Sequence, residues 1–257
     1  MDLQLSNKVA IVTGASRGIG RAIAETLSAE GMRVVLAARS GALLEEVAAG
    51  CPSETAVFAA DLREPEAPAR LAAFAVRRFG GIDLVVNNAG ATKRGDFIEL
   101  TEEEWQDGFA LKFYGAVRCC RAAWPQLVAR RGAVVNIVGV GGRTGHAEFA
   151  IGGAVNAALL NFTKVLSERG IKEGVRVNAV NPGAIATGRL TTRIRTLAGQ
   201  LSVSEEEATR HMAAKLGIDR FGKPDEIARA VAFLASPACG FCQGSILDVD
   251  GGETRTL

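Results

Sequence analysis

Seven short apolar runs, each separated from the next by turn residues and a stretch of helical spacing, constrain this 257-residue chain more than any other feature. They cover residues 9–13, 33–37, 56–60, 83–87, 133–137, 175–180 and 245–249. None alternates apolar with polar residues, so both faces of each should be covered, as in a parallel sheet between helices. Intervening stretches such as 21–30 and 43–49 carry apolar residues at helical spacing. Alternation of this kind, closed by right-handed crossovers, predicts an α/β fold. The expected form is a single-domain, Rossmann-type, doubly wound parallel sheet of seven strands with helices on both faces.

No internal repeat, low-complexity tract or linker rich in Pro and Ser divides residues 1–257, so one domain is expected. The rhythm breaks only at 188–221, where two helical patterns with several basic residues precede the last strand. Ligands of open α/β sheets bind beyond the carboxyl ends of the strands. An insertion leaving that edge is a candidate substrate lid, with an ordinary helical excursion packed on the body as the alternative.

Composition narrows the partners. The chain is 48% hydrophobic and 23% charged with a net charge of +2, enough apolar material for a large core. No clustered basic surface is evident, so neither nucleic acid nor an anionic membrane is an expected partner. No apolar run approaches the roughly 18 residues needed to cross a bilayer. Residues 1–8 lack the basic start and apolar stretch of a signal peptide, and a cytoplasmic location is expected. The five cysteines, an odd number, argue against a disulfide framework. Cys239 and Cys242 match Cys-x-x-Cys but lie just before the last strand, not at a helix start; Cys119 and Cys120 are adjacent and not spaced for chelation. Small side chains packed in a turn, and no metal site, are the expectation.

A glycine-rich segment, Thr13-Gly14-Ala15-Ser16-Arg17-Gly18-Ile19-Gly20, joins the first strand to the first helix. Side chains there would block the tight turn and hold the backbone away from a pyrophosphate, which the free N–H groups of the helix start attract. Gly14, Ser16, Arg17, Gly18, Ile19 and Gly20 are therefore candidate dinucleotide contacts. At the end of the second strand an acidic residue would bind a ribose 2′-hydroxyl and repel a 2′-phosphate. This chain has Ala38-Arg39 there, and Arg17 in the loop. Two guanidiniums and no carboxylate point to NADP rather than NAD.

Further segments complete a pattern: Asp61-Leu62, Asn87-Asn88-Ala89-Gly90, Asn181-Pro182-Gly183 with Ile185 and Thr187, and 220–227 through Asp250-Gly251-Gly252. With the glycine loop, and in this order over nearly the whole chain, they resemble the short-chain dehydrogenase/reductase family. The resemblance implies adenine contact by Asp61, with Leu62 beside it. It places Asn88, with Ala89 and Gly90, along the ribose. Ile185 and Thr187 would meet the nicotinamide carboxamide past Pro182 and Gly183. It also implies a homo-oligomer, dimer or homotetramer, with helices and the C-terminal segment at the interfaces.

The family's proton chemistry uses a serine, a Tyr-x-x-x-Lys pair and an asparagine on the preceding helix. By register, this chain has Gly139 at the serine, Gly152 at the tyrosine, Asn156 at the lysine and Lys112 at the asparagine. Its single tyrosine, Tyr114, lies elsewhere. Gly152 and Gly153 either occupy a first helical turn, where glycine costs little, or open space for a bulkier substrate or another side chain. Lys112, on a helix expected over about 102–124, shares a face with Trp105 and Phe109 and adjoins Gly108 and Gly115. Desolvation there should lower its pKa toward a range useful for proton transfer. The sequence thus supports an NADP-dependent oxidoreductase on a small carbonyl or alcohol substrate, with Lys112, Asn156 and loop residue His146 (near Glu148) as catalytic candidates. A catalytically inactive nucleotide-binding sensor or regulatory partner, or non-redox chemistry such as isomerisation or dehydration in the same pocket, are the alternatives.

Overall fold

The computed structural model describes residues 1–255. Seven parallel strands form one sheet in the order β3-β2-β1-β4-β5-β6-β7. They are β1 (Val9–Thr13), β2 (Arg33–Ala38), β3 (Thr55–Ala59), β4 (Leu84–Asn87), β5 (Ala133–Ile137), β6 (Arg176–Pro182) and β7 (Ile246–Val249). Each expected run is a strand, with ends displaced by at most two residues. The helices are α1 (Gly18–Ala29), α2 (Gly41–Ala49), α3 (Ala67–Phe79), α4 (Glu102–Phe109), α5 (Gly115–Arg130), α6 (Ala150–Glu173), α7 (Gly188–Leu201), α8 (Glu205–Leu216) and α9 (Pro224–Ala235).

The missing polar alternation has the predicted consequence. In β1, Ala10 and Val12 join a core with α1 and α9, while Val9 and Ile11 join a second core with α3 and α5 on the opposite face. All five residues of β1 are buried. Sheet order reverses between β1 and β4, so the crevice between their carboxyl ends is the topological switch point where such sheets bind ligands.

Two local features differ from expectation. The helix anticipated over 102–124 is α4 and α5 joined by a π-helical turn at Ala110–Tyr114, where the Gly115 N–H reaches back to the Ala110 carbonyl. The helix also continues past Pro125 to Arg130. Pro125 removes one intrahelical donor, but Trp124 and Leu127 on either side are buried against the second core and hold the helix on the sheet. The segment 188–221 is the helix pair α7 and α8, with Ser204 Oγ accepting from the Glu207 N–H at 3.1 Å to cap α8. A bridge between Ile185 and Gly222 pins its two ends together, so the excursion leaves and returns at the carboxyl end of β6.

No helix among the described residues is long and apolar enough to cross a membrane. Among them, too, no group of His, Cys, Asp and Glu is arranged to hold a metal. Cys119, Cys120 and Cys239 are buried free thiols and Cys242 is half-buried. Burial pushes the Cys120 thiol up to about 12.

Candidate active site and nucleotide crevice

Every residue singled out for cofactor binding sits at or just past the carboxyl end of a strand. Hydrogen bonds knit the crevice at its centre. The Thr13 hydroxyl donates to the Val86 carbonyl at 3.2 Å and accepts from the N–H groups of Asn88 and Ala89 at 2.9 and 3.0 Å. The Asn88 amide donates to the carbonyls of Thr13 and Gly14 at 3.0 and 3.2 Å, binding the turn after β1 to the turn after β4. Gly20 is obligatory here, because a Cβ would lie 2.2 Å from the Gly14 carbonyl oxygen and 2.4 Å from the Asn88 amide.

The first turn of α1 has no capping side chain and no acidic residue, which leaves its N–H groups for an anion. Arg17, at its N-cap, and Arg39, after β2, are exposed. Neither side chain makes a hydrogen bond or ion pair among the described residues. Ser16 and Ile19 are half-buried beside them. Asp61 is drawn toward Arg63, at 3.4 Å, which itself pairs with Asp107, and Leu62 is buried. Across the crevice, Pro182 and Ile185 are buried, Gly183 abuts Asp250, and the Thr187 methyl faces Gly18.

Lys112 and Asn156 meet. The Lys112 ammonium donates to the Val138 carbonyl and to Asn156 Oδ1, both at 2.5 Å. Three elements produce this junction. The π turn carries Lys112, α6 supplies the buried Asn156, and the chain leaving β5 supplies Val138. Gly90, after β4, lies along the lysine stem, where a Cβ would stand 2.9 Å from Lys112 Cδ. Desolvation by burial, aided by the Arg189 guanidinium, lowers the Lys112 pKa from 10.5 to about 7. An ammonium has three N–H bonds and two are committed, so one proton remains for a third acceptor.

Gly139 and Gly152, which the resemblance aligns with a serine and a tyrosine, are both constrained by their surroundings. Gly139 has φ +134°, a conformation that strains a residue with a Cβ, and its N–H donates to Asn181 Oδ1 at 2.9 Å. At Gly152 a Cβ would lie 2.0 Å from Cζ of Phe149. The space beside Gly152 thus belongs to the Phe149 ring, and Gly152 and Gly153 do lie in the first turn of α6. Phe149 was not singled out from the sequence, because its place beside Gly152 is set by the path of the loop between β5 and α6. Tyr114 is 49% exposed, its ring edge-on to Phe113 and beneath the Arg118 guanidinium.

His146 is exposed in the loop after β5. With Phe149 it lines a cleft of about 290 Å³, and its charge acts on Glu253. Among the described residues no hydrogen bond joins it to Lys112 or Asn156. Trp105 and Phe109 are half-buried, and the π turn changes the angular relation to Lys112 that a plain α-helix would give.

Comparison with known proteins agrees with this architecture. Residues 14–254 match the family model described as enoyl-(acyl carrier protein) reductase. A 3-oxoacyl-[acyl-carrier-protein] reductase of Vibrio cholerae is 34% identical over 251 residues, covering 97% of this chain and 98% of that protein. An acetoacetyl-CoA reductase of Shinella zoogloeoides is 35% identical over 250 residues, covering 96% and 98%. The crystal structure of L-sorbose reductase from Gluconobacter frateurii, complexed with NADPH and L-sorbose, superposes with a TM-score of 0.95 at 33% identity over the whole of both chains.

Proposed function

The chain belongs to the short-chain dehydrogenase/reductase family, and from that premise we propose that it is an NADPH-dependent oxidoreductase in which Lys112 replaces the family's tyrosine as proton donor to a carbonyl oxygen. The observation that carries this reading is the Lys112 ammonium, held by Val138 and Asn156, brought near neutrality by burial and left with one uncommitted proton.

The residues present fit the nucleotide. Gly20 leaves the space a backbone-hugging pyrophosphate needs, and the uncapped start of α1 offers it N–H donors. Arg17 and Arg39 suit a 2′-phosphate, which favours NADPH over NADH. That the similar L-sorbose reductase structure contains NADPH supports the same choice. When bound, the nicotinamide supplies the hydride. The chain's own task is the proton. Asn156 and Val138 orient the ammonium, the third N–H protonates the substrate oxygen, and the resulting amine keeps donating to its two partners until solvent returns the proton. Lys112 and Asn156 stand in each other's usual places, so the cation and the amide that the family uses are both retained with their positions exchanged. The α7–α8 pair is the substrate lid, hinged where Ile185 meets Gly222.

A second reading follows from the same two hydrogen bonds. An ammonium anchored on a carbonyl and an amide also suits a structural strut, and the protein would then bind nucleotide as a sensor or inactive partner. Fluorescence titration with NADPH and NADH, followed by a carbonyl substrate screen on wild type and Lys112→Met, separates the two. The enzyme reading expects tight NADPH binding by both proteins and turnover by wild type only. Equal turnover by the variant would sink the role of Lys112, and absent nucleotide binding would sink both readings.

A further inference from the structure

The nucleotide reading uses Arg17 and Arg39; beside the Lys112 junction lie Arg94, over the Phe149 ring, and Arg189, on the Gly90 carbonyl, with Arg193 next on the same helix. Arg94 lies on the segment after β4, and Arg189 and Arg193 lie one turn apart on α7. The Arg94 guanidinium stacks over the Phe149 ring, 4.6 Å from its centroid. Arg189 is tethered, donating to the Gly90 carbonyl at 2.6 Å. Backbone bonding also fixes the Arg94 segment, since the Gly95 N–H donates to the Glu148 carbonyl at 3.1 Å.

Most ionic contacts here pair an arginine with a carboxylate, among them Arg21–Glu25, Arg70–Glu64 and Arg220–Glu226. Among the described residues none of Arg94, Arg189 and Arg193 has an ion-pair partner. Arg94 is held below the usual arginine value, first by desolvation over Phe149 and then by the charge of Arg193. Arg189 likewise opposes the charge on Lys112. Glu148 and Glu253 act on the cluster through space but do not reach ion-pair contact. Exposed like charges that no carboxylate contacts repel one another, and a bound anion relieves that repulsion.

We propose that Arg94 and Arg193, with Arg189 beside them, form a subsite for an anionic group on the substrate, so that the physiological substrate is an oxo acid rather than a neutral ketone. The subsite rests on the functional reading above, in which the carbonyl sits at Lys112. Phe149 then has two duties: it fills the space at Gly152 and provides the face that steers Arg94 toward the substrate. Planar guanidiniums suit the two oxygens of a carboxylate.

The test uses 4-oxopentanoate and its methyl ester, which share a ketone and differ in charge. Calorimetric titration of the NADP⁺-saturated protein reads binding without turnover. The acid should bind wild type and bind Arg94→Met and Arg193→Glu about tenfold more weakly or worse. The ester should bind all three proteins alike, and NADP⁺ affinity should stay within about twofold of wild type, as expected for groups outside the nucleotide contacts. Equal binding of acid and ester by wild type would overturn the subsite. So would variants that keep their affinity for the acid, or that lose NADP⁺ instead, which would assign the cluster to the cofactor's phosphates. Should wild type fail to take NADP⁺, the oxidoreductase reading falls, while the acid titration on cofactor-free protein still decides the subsite.

Discussion

Lys112 carries two separable consequences of one burial. As a general acid it acts only when protonated, so carbonyl reduction should be fastest below about pH 7 and fall as pH rises through its lowered pKa. Asn156→Asp places a carboxylate on that ammonium, which favours its charged form and should move the falling limb upward by about 1–3 pH units. An unmoved limb in the kcat/KM profile would exclude Lys112 as the titrating donor. The second consequence is on stability. The folded protein releases the lysine proton near pH 7, whereas an unfolded chain holds it to about 10.5. Between those values the unfolded state binds more protons, so this group adds stability as pH rises. Urea midpoints measured from pH 7 to 10 should therefore climb in wild type relative to Lys112→Met.

Elements, not single residues, explain why some of the site was legible and some was not. The strands were readable because a doubly covered strand needs an unbroken apolar run, and the turn after β1 because its glycines sit where backbone must approach backbone, as at Gly20. Register alone singled out Lys112 and Asn156, and the structure brings the two into a hydrogen bond. The π turn was not: it inserts one residue into a helical repeat, and over five residues the apolar spacing is compatible with either helix. The role of Phe149 depends on where β5 delivers the loop before α6, which local sequence does not encode. This filling has a measurable signature. Gly152→Ala drives a Cβ into the Phe149 ring and should cost about 1–3 kcal/mol of unfolding free energy. In a Phe149→Ala background the same change should cost far less, because the ring is gone. Additive effects in that double-mutant cycle would mean the ring yields freely and does not occupy the tyrosine position.

At the scale of the molecule, the sheet ends at β7 with one row of backbone groups unpaired among the described residues. Apolar side chains surround that edge: Leu247 on β7 is 39% exposed, Ile171 near the end of α6 is 70% exposed, and Phe241 in the turn before β7 is fully exposed. Ile171 and Gly240 line one cleft, which sets Ile171 beside the turn that carries Phe241. Open edges with exposed aromatics are aggregation hazards unless covered, and a second copy of the chain would cover them symmetrically. Covering a phenylalanine is worth roughly 2–3 kcal/mol per copy, enough for one position to shift an assembly equilibrium by more than tenfold. Light scattering coupled to size exclusion should therefore give two or four times the 26.9 kDa chain mass for wild type. Phe241→Asp should lower that mass or make it depend on concentration while leaving the circular dichroism spectrum unchanged, since the ring has no contacts inside the chain to lose. A wild type that elutes as a single chain would remove the case for an oligomer. An assembled protein indifferent to Phe241→Asp would instead move the interface away from β7.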